Sequence, residues 1–293
     1  MAELFSTNPI INPYKEAIIW ESIWCKLNPP TFKQYSIQQK GHFLPSQVAF
    51  GMHDDKLEEV ETYFNSNVLG NFTPLVSTSG VYPEDLDKLN NRSPIIYAKG
   101  RLDLLYGKSI SIVGSRKASK EGIIRTEYLA KKLVRDGYTI VSGLAKGIDT
   151  AAHIATINSG GETIAVLGTP LNEYYPKQNK ELQQKIESKY LVLSQVPFYV
   201  YGYVKKHNFK LLKQFFPERN KVMAAISQAT IIVEASDTSG TLIQARECLK
   251  MGKKLFLHEN VVHNPKSKWA QEYSKREGVT VIKSYSEIKQ ALE

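Results

Sequence analysis

Three short stretches place glycine and hydrogen-bond donors directly after runs of apolar residues. They are Gly114-Ser115-Arg116, Ser142–Asp149 with Gly143, Lys146 and Gly147, and Asp237–Thr241 with Ser239 and Gly240. Glycine lets the backbone turn tightly and approach a ligand, while backbone N–H groups and Arg or Lys side chains bind phosphate. The three stretches therefore indicate a phosphate-binding site if the fold brings them together.

The residues around the first stretch have the pattern of a strand, a turn and a helix. The β-branched residues Ile110, Ile112 and Val113 are typical of a buried parallel strand, and Gly114 permits a tight turn. A helix is predicted from about Ser119, a favourable N-cap, to Asp136-Gly137. Free N–H groups and the positive dipole end should suit the start of this helix to an anion.

Strands and helices alternate from Val81 onward. Strands are predicted over 95–98, 110–113, 138–142, 163–167, 191–193, 230–233, 254–257 and 279–282. Helices are predicted over 120–137, 149–158, 180–188, 219–227, 242–250 and 269–276. This alternation indicates an α/β fold with a doubly wound, largely parallel sheet. Strand-to-helix turns share the carboxyl edge of such a sheet, so the three stretches should converge there.

The first part of the chain has a different pattern. Apolar residues at helical spacing predict helices around Ile18–Trp24 and over 54–64, which indicates a small helical domain over residues 1–75. The α/β domain then occupies residues 76–293. Polar residues over 71–79 predict a connector, and the long segment between Leu193 and Pro217 is assigned no element.

Composition limits the class of protein and its partners. The 293 residues include 38 Lys and Arg against 29 Asp and Glu, a net charge of +9 that favours a polyanionic partner. No apolar run approaches the ~18 residues that span a bilayer, so we expect a cytoplasmic protein that does not bind membranes. Cys25 and Cys248 lack metal-ligand spacing, so neither a metal site nor a disulfide is expected.

The turn sequences argue against common nucleotide cofactors. The first turn lacks the GxGxxG of dinucleotide-binding folds, and no GxxxxGK[ST] is present, so no cofactor is expected. Asp149 and His153 lie one helical turn apart. They could form a catalytic pair, or they could be a helix cap and a packing histidine.

The segment 197–223 interleaves aromatic and basic residues. The aromatic residues are Phe198, Tyr199, Tyr201, Tyr203, Phe209, Phe215 and Phe216, and the basic residues are Lys205, Lys206, Lys210, Lys213, Arg219 and Lys221. Aromatic faces that stack on bases beside lysines that follow the backbone would suit a single-stranded nucleic acid. The alternative is that the aromatic residues pack against the sheet and the lysines are solvated.

Several motifs occur in an order that resembles the DNA-processing protein A (DprA/Smf) family. They are Tyr82-Pro-Glu-Asp-Leu86, Ile112-Val-Gly-Ser-Arg116, Val141–His153, Thr163–Gly168 with Tyr175-Pro176, Phe216-Pro-Glu-Arg-Asn220, and Glu234-Ala with Ser239-Gly240. Together they run from about Tyr82 to Leu257. Their order and spacing make the resemblance more specific than any single motif.

The resemblance implies an extended Rossmann-like domain that binds single-stranded DNA, forms a homodimer and helps to load a RecA-type recombinase during natural transformation. It implies no catalytic reaction. The site residues that we predict from it and from the three turns are Gly114, Ser115, Arg116, Gly143, Lys146, Gly147, Arg219, Asn220, Lys221, Ser239, Gly240 and Thr241.

The chain departs from the usual family pattern at Gln195, Lys221 and His258-Glu259. These departures leave room for a divergent member that serves a mobile element or phage defence. A mononucleotide-processing enzyme similar to phosphoribohydrolases is a second alternative. In this sequence, only Ser239-Gly-Thr241 is comparable with the glycine-rich turn of those enzymes. A nucleotide-sensing module is a third.

Overall fold

The computed structural model describes eight stretches of the chain. They are residues 11–25, 44–48, 55–66, 69–77, 79–89, 92–207, 209–236 and 240–293. Within them the chain forms one nine-stranded sheet with helices packed on both faces. The predicted α/β fold with a doubly wound, largely parallel sheet is therefore confirmed.

The sheet reverses its strand order at one point. The strands are β1 (Thr73–Val76), β2 (Ile95–Gly100), β3 (Ser109–Val113), β4 (Thr139–Ser142), β5 (Thr163–Leu167), β6 (Leu191–Ser194), β7 (Ala229–Ile232), β8 (Lys254–His258) and β9 (Val279–Ile282). They lie in the order β1-β2-β6-β5-β4-β3-β7-β8-β9. β2 is antiparallel to both of its neighbours, and the pairs from β6 to β9 are all parallel. The chain winds outward from β3 in one direction and then from β7 in the other, which creates a cleft at the carboxyl ends of these two strands.

Helices fill the connections between the strands. They are α1 (Pro13–Cys25), α2 (Pro45–Val48), α3 (Asp55–Phe64), α4 (Glu84–Asp87), α5 (Lys120–Arg135), α6 (Ile148–Asn158), α7 (Lys180–Lys189), α8 (Phe198–His207), α9 (Phe215–Ile226), α10 (Thr241–Lys250), α11 (Glu259–Val262), α12 (Lys268–Tyr273) and α13 (Tyr285–Leu292). Short 3-10 helices cover Leu102–Tyr106, Lys177–Asn179 and Phe209–Gln214. In the described part of the chain, no helix combines the length and apolar character needed to cross a membrane.

The alternation of side chains along β3 explains why both faces are covered. Ile112 packs in a core with α5 and α6, whereas the next residue, Val113, packs in a core with α9 and α10. Successive side chains of a strand point to opposite faces, so a strand that is buried throughout needs a helical layer on each side. All five residues of β3 are buried.

The N-terminal helices share a core with the sheet. Trp20 and Trp24 of α1 are buried in the same cluster as Tyr97 of β2 and Phe198 of α8. Strand β1 pairs with β2 and crosses residue 75, the boundary proposed between two domains. The division into residues 1–75 and 76–293 stays a prediction.

Two segments differ from the sequence prediction. The connector expected over 71–79 contains β1, in which Leu75 pairs with Ile96 of β2. The segment without an assigned element contains α8 and the 3-10 helix Phe209–Gln214. Helix α8 is rich in aromatic and β-branched residues and contains Gly202, which are weak helix formers, so its sequence gives little local signal.

A buried carboxylate of α1 caps the N-terminus of α8 and so stabilises a helix whose own residues are weak helix formers. The Glu21 Oε1 atom accepts hydrogen bonds from Tyr97 Oη at 2.7 Å and Phe198 N at 2.8 Å, and Oε2 accepts from Tyr199 N at 2.6 Å and Val200 N at 3.3 Å. These N–H groups form the first turn of α8, which has no internal partner for them. Glu21 therefore caps a helix that begins 177 residues later.

Glu21 should make stability depend on pH near neutrality. Burial raises its pKa to about 7. Between pH 4.5, the ordinary value, and pH 7, the folded state keeps a proton that the unfolded chain has lost. The free energy of unfolding should therefore fall as pH rises through this range, by roughly 3 kcal/mol for such a shift.

The matched variant is Glu21→Gln, which keeps the side-chain size but does not titrate. Urea unfolding at pH 5 and pH 8 should show this fall in the wild type and a clearly smaller one in the variant. The same change in both proteins would show that Glu21 does not titrate in this range.

Candidate functional site

A cavity of about 460 Å³ opens at the carboxyl edge of the sheet, where the strand order reverses between β3 and β7. A smaller concavity of about 70 Å³ shares Arg116, Ala145, Phe216 and Arg219 with it. The two depressions are therefore adjacent, and the shared residues lie between them.

Most of the predicted site residues line these depressions. The larger cavity is lined by Gly114, Ser115, Arg116, Arg219, Asn220, Gly240 and Thr241, and the smaller one adds Gly143 and Lys146. The turns after β3, β4 and β7 thus converge, as the sequence predicts. Ser239 lies outside the described residues. Gly147 and Lys221 line neither depression, and Lys221 pairs with Glu218 at 2.7 Å.

Backbone contacts hold the turns together. Gly147 is the N-cap of α6 and has a φ of 77°, and a Cβ atom there would lie 2.3 Å from the carbonyl oxygen of Ser115. The next residue, Ile148, donates its N–H to that oxygen at 3.2 Å. In the third turn, Asn220 Nδ2 donates to Gly240 O at 2.8 Å. Gly147 and Asn220 therefore help to build the site, since Gly147 lets the second turn approach the first and Asn220 joins α9 to the third turn.

Arg219 is a buried charge beneath the site. It is 4% exposed, and its Nη1 atom donates to Val166 O at 3.0 Å. A Cβ atom at Gly143 would lie 1.5 Å from Nη1, so the guanidinium occupies space that only glycine leaves free. Burial lowers the pKa of Arg219 to about 10, while Asp149 favours the charged form. Arg219 is thus a fixed cation at neutral pH.

The accessible charges of the site include those of Arg116 and Lys146, which are both exposed. Neither has a carboxylate of a described residue within ion-pair distance. The Arg116 guanidinium lies over the Phe216 ring, 5.5 Å from its centroid. A guanidinium held in this way keeps its donors available for a phosphate.

The N-terminus of α5 is occupied by a carboxylate of the protein. Glu234, two residues after β7, accepts hydrogen bonds from Ser119 N at 3.2 Å and Ser119 Oγ at 2.6 Å. Ser119 Oγ in turn accepts from Gly122 N at 2.9 Å, as an N-cap does. The expectation that this helix end would bind an external anion is therefore wrong, because Glu234 already fills that position.

Asp149 and His153 have the geometry of structural residues. Asp149 is buried and accepts a hydrogen bond from Ala145 N at 3.4 Å. His153 is fully buried, its Nδ1 atom is 2.7 Å from Thr163 Oγ1, and burial lowers its pKa to about 3. A neutral, enclosed imidazole fits the interpretation of His153 as a packing residue. Asp149 is not the helix cap, because Gly147 is the N-cap of α6 and the Asp149 carboxylate accepts from the preceding turn instead.

Some aromatic residues of 197–223 lie in the core, and one lies in the site. Phe198 and Phe215 are almost completely buried, so the packing interpretation holds for them. Phe216 lines both depressions, and its ring packs so closely on Gly168 that a Cβ there would lie 2.5 Å from Cδ1. Our site prediction omitted Phe216, although its position at the start of Phe216-Pro-Glu-Arg-Asn220 could have signalled it.

Most of the chain matches the profile of a known protein family. The profile of the DNA recombination-mediator protein A family matches residues 73–293. DNA processing protein DprA of Streptococcus pneumoniae is 42% identical over 175 residues, which is 60% of this chain and 58% of that protein. Protein Smf of Synechocystis is 37% identical over 179 residues, 60% of this chain and 43% of that protein. The chain thus aligns with about half the length of these curated relatives.

Two solved structures are similar in fold. The X-ray structure of DNA processing protein A from Streptococcus pneumoniae has a TM-score of 0.73 and 30% identity, and the match covers 96% of this chain and 98% of that one. A structure of DNA processing protein A from Helicobacter pylori, which addresses how that protein binds single-stranded DNA, has a TM-score of 0.63 and 26% identity. That match covers 76% of this chain and 95% of the other.

Gly143→Ala should destabilise the protein because the new methyl group would displace the Arg219 guanidinium. Val166 O would then lose a donor and Asp149 its nearby cation, so we expect a loss of roughly 2–4 kcal/mol in the free energy of unfolding. Urea denaturation measures it.

Gly107→Ala is the matched control. Gly107 has a φ of −87°, and a Cβ there would meet its nearest atom at 3.9 Å. This variant should stay within about 0.5 kcal/mol of the wild type. If the two substitutions lowered the free energy of unfolding equally, the Arg219 guanidinium would be able to move aside without destabilising the protein.

Proposed function

The chain belongs to the DNA recombination-mediator protein A family, and from that premise we propose that it binds single-stranded DNA at the paired depressions on the carboxyl edge of the sheet. Binding would be largely independent of sequence. Phosphate groups would supply most of the affinity, and an aromatic face would contribute through a base.

The observation that carries this proposal is the excess of positive charge around Phe216. Arg116 and Lys146 are exposed at the rim, and Arg219 is fixed beneath them. Asp149 is the buried carboxylate that opposes them. A phosphate at the rim would relieve the repulsion between Arg116 and Arg219, which contributes to the lowered pKa of Arg219.

The wider role rests on the family. We propose that the protein protects incoming single-stranded DNA and helps to load a RecA-type recombinase in natural transformation. It would act in the cytoplasm as a homodimer, by binding and without a catalytic reaction. A setting in a mobile element or in phage defence would use the same binding chemistry.

A mononucleotide is the second candidate ligand. The larger cavity, at about 460 Å³, falls in the range of small-molecule pockets. Nucleoside monophosphates that compete with the DNA strand at micromolar concentration would favour this alternative. Release of a free base from them would identify an enzyme.

Arg116→Glu should weaken binding of a fluorescein-labelled oligothymidylate at least ten-fold at low salt, because a phosphate contact becomes a repulsion. The slope of log affinity against log salt should fall by about one per lost contact. Lys146→Glu should act in the same direction. Fluorescence anisotropy at several salt concentrations measures both effects.

Arg135→Glu is the control, since it changes the net charge by the same amount. Arg135 is exposed at the far end of the 16-residue helix α5, roughly 24 Å along its axis. The Arg135→Glu substitution should weaken binding of the strand by less than about three-fold. Equal losses in Arg116→Glu and Arg135→Glu would contradict the assignment of the site.

A further inference from the structure

Tyr175 is an exposed aromatic residue that the phosphate contacts leave without a role. It is 52% exposed, although neighbouring residues of its loop such as Pro176 and Asn179 are buried. Its ring packs against that of Phe216, with a centroid distance of 5.6 Å and a tilt of 56°. Together with Pro176 it lines the smaller concavity.

The loop that carries Tyr175 is anchored to the site. Asn179 Nδ2 donates to Leu144 O and to Thr150 Oγ1, each at 2.8 Å, and these acceptors belong to the turn after β4 and to α6. These bonds join the end of the loop to the turn that carries Lys146. Such anchoring limits the entropy lost when a ligand binds against the ring.

Charge surrounds this aromatic face. Lys146 and Arg116 line the same concavity, and Arg116 also lines the larger cavity. Phe216 separates the two depressions. Two consecutive nucleotides of a strand could therefore lie on either side of this ring, with the phosphates beside Arg116 and Lys146.

We infer that Tyr175 is a base-stacking residue, and that the smaller concavity takes one nucleobase of the strand, stacked on the exposed face of the Tyr175 ring. This inference rests on the proposed binding of single-stranded DNA and adds a contact to the base. Every base offers a π face, so the contact tolerates any sequence. The phenol oxygen is not needed for it.

The experiment compares two labelled strands of equal length, an oligothymidylate and a strand of abasic sites with the same phosphates. Tyr175→Ala should weaken binding of the oligothymidylate roughly ten-fold, since base–aromatic stacking is lost. Tyr175→Phe should bind like the wild type. On the abasic strand, the wild type and both variants should bind alike.

Tyr106→Ala is the control for loss of an exposed tyrosine. Tyr106 is 63% exposed, and its hydroxyl donates to Val81 O at 3.2 Å. This variant should bind both strands as the wild type does, and circular dichroism should show all variants folded.

An equal loss of binding to both strands in Tyr175→Ala, or no loss on the oligothymidylate, would overturn the stacking role and leave the proposed function intact. If the wild type bound neither strand, both the stacking role and the proposed function would be overturned.

Discussion

The buried guanidinium of Arg219 is the constraint on which the site depends. It reaches from α9 to the carbonyl of Val166 in β5, contacts Gly143 after β4, and interacts electrostatically with Asp149 in α6. A buried charge is stable only when partners surround it, so these elements must keep their relative positions. The same charge adds to that of Arg116 above it, and this makes the edge of the sheet attractive to phosphate.

Distant parts of the chain hold the segment that presents Arg219. At one end, the Glu21 carboxylate caps α8 through Phe198 and its neighbours. At the other end, Lys253 Nζ donates to Asp85 Oδ2 at 2.8 Å and to Ala224 O at 3.2 Å, where α9 ends. Asp85 belongs to the motif Tyr82-Pro-Glu-Asp-Leu86, which lies outside the site and fixes a helix that lines it.

Local patterns predict the sheet and its converging turns, because β-branched residues such as Ile112 and Val113 and a cap such as Ser119 act on their own neighbours. They fail where a partner lies far away in the chain. Glu234 fills the helix N-terminus that looked open to a ligand, and Arg219 is buried although an arginine in a basic stretch suggests a surface contact. Phe216 belongs to the site because Gly168, which has no side chain, leaves space for its ring.

Photocrosslinking of a strand that contains 5-iododeoxyuridine, followed by mass spectrometry, tests most directly whether the strand occupies this edge of the sheet. The iodouracil base reacts with aromatic side chains that it stacks on. We predict crosslinks in the peptides that contain Phe216 and Tyr175, which Arg116→Glu abolishes. Crosslinks confined to aromatic residues elsewhere, such as Tyr203 or Tyr128, would contradict binding at this site.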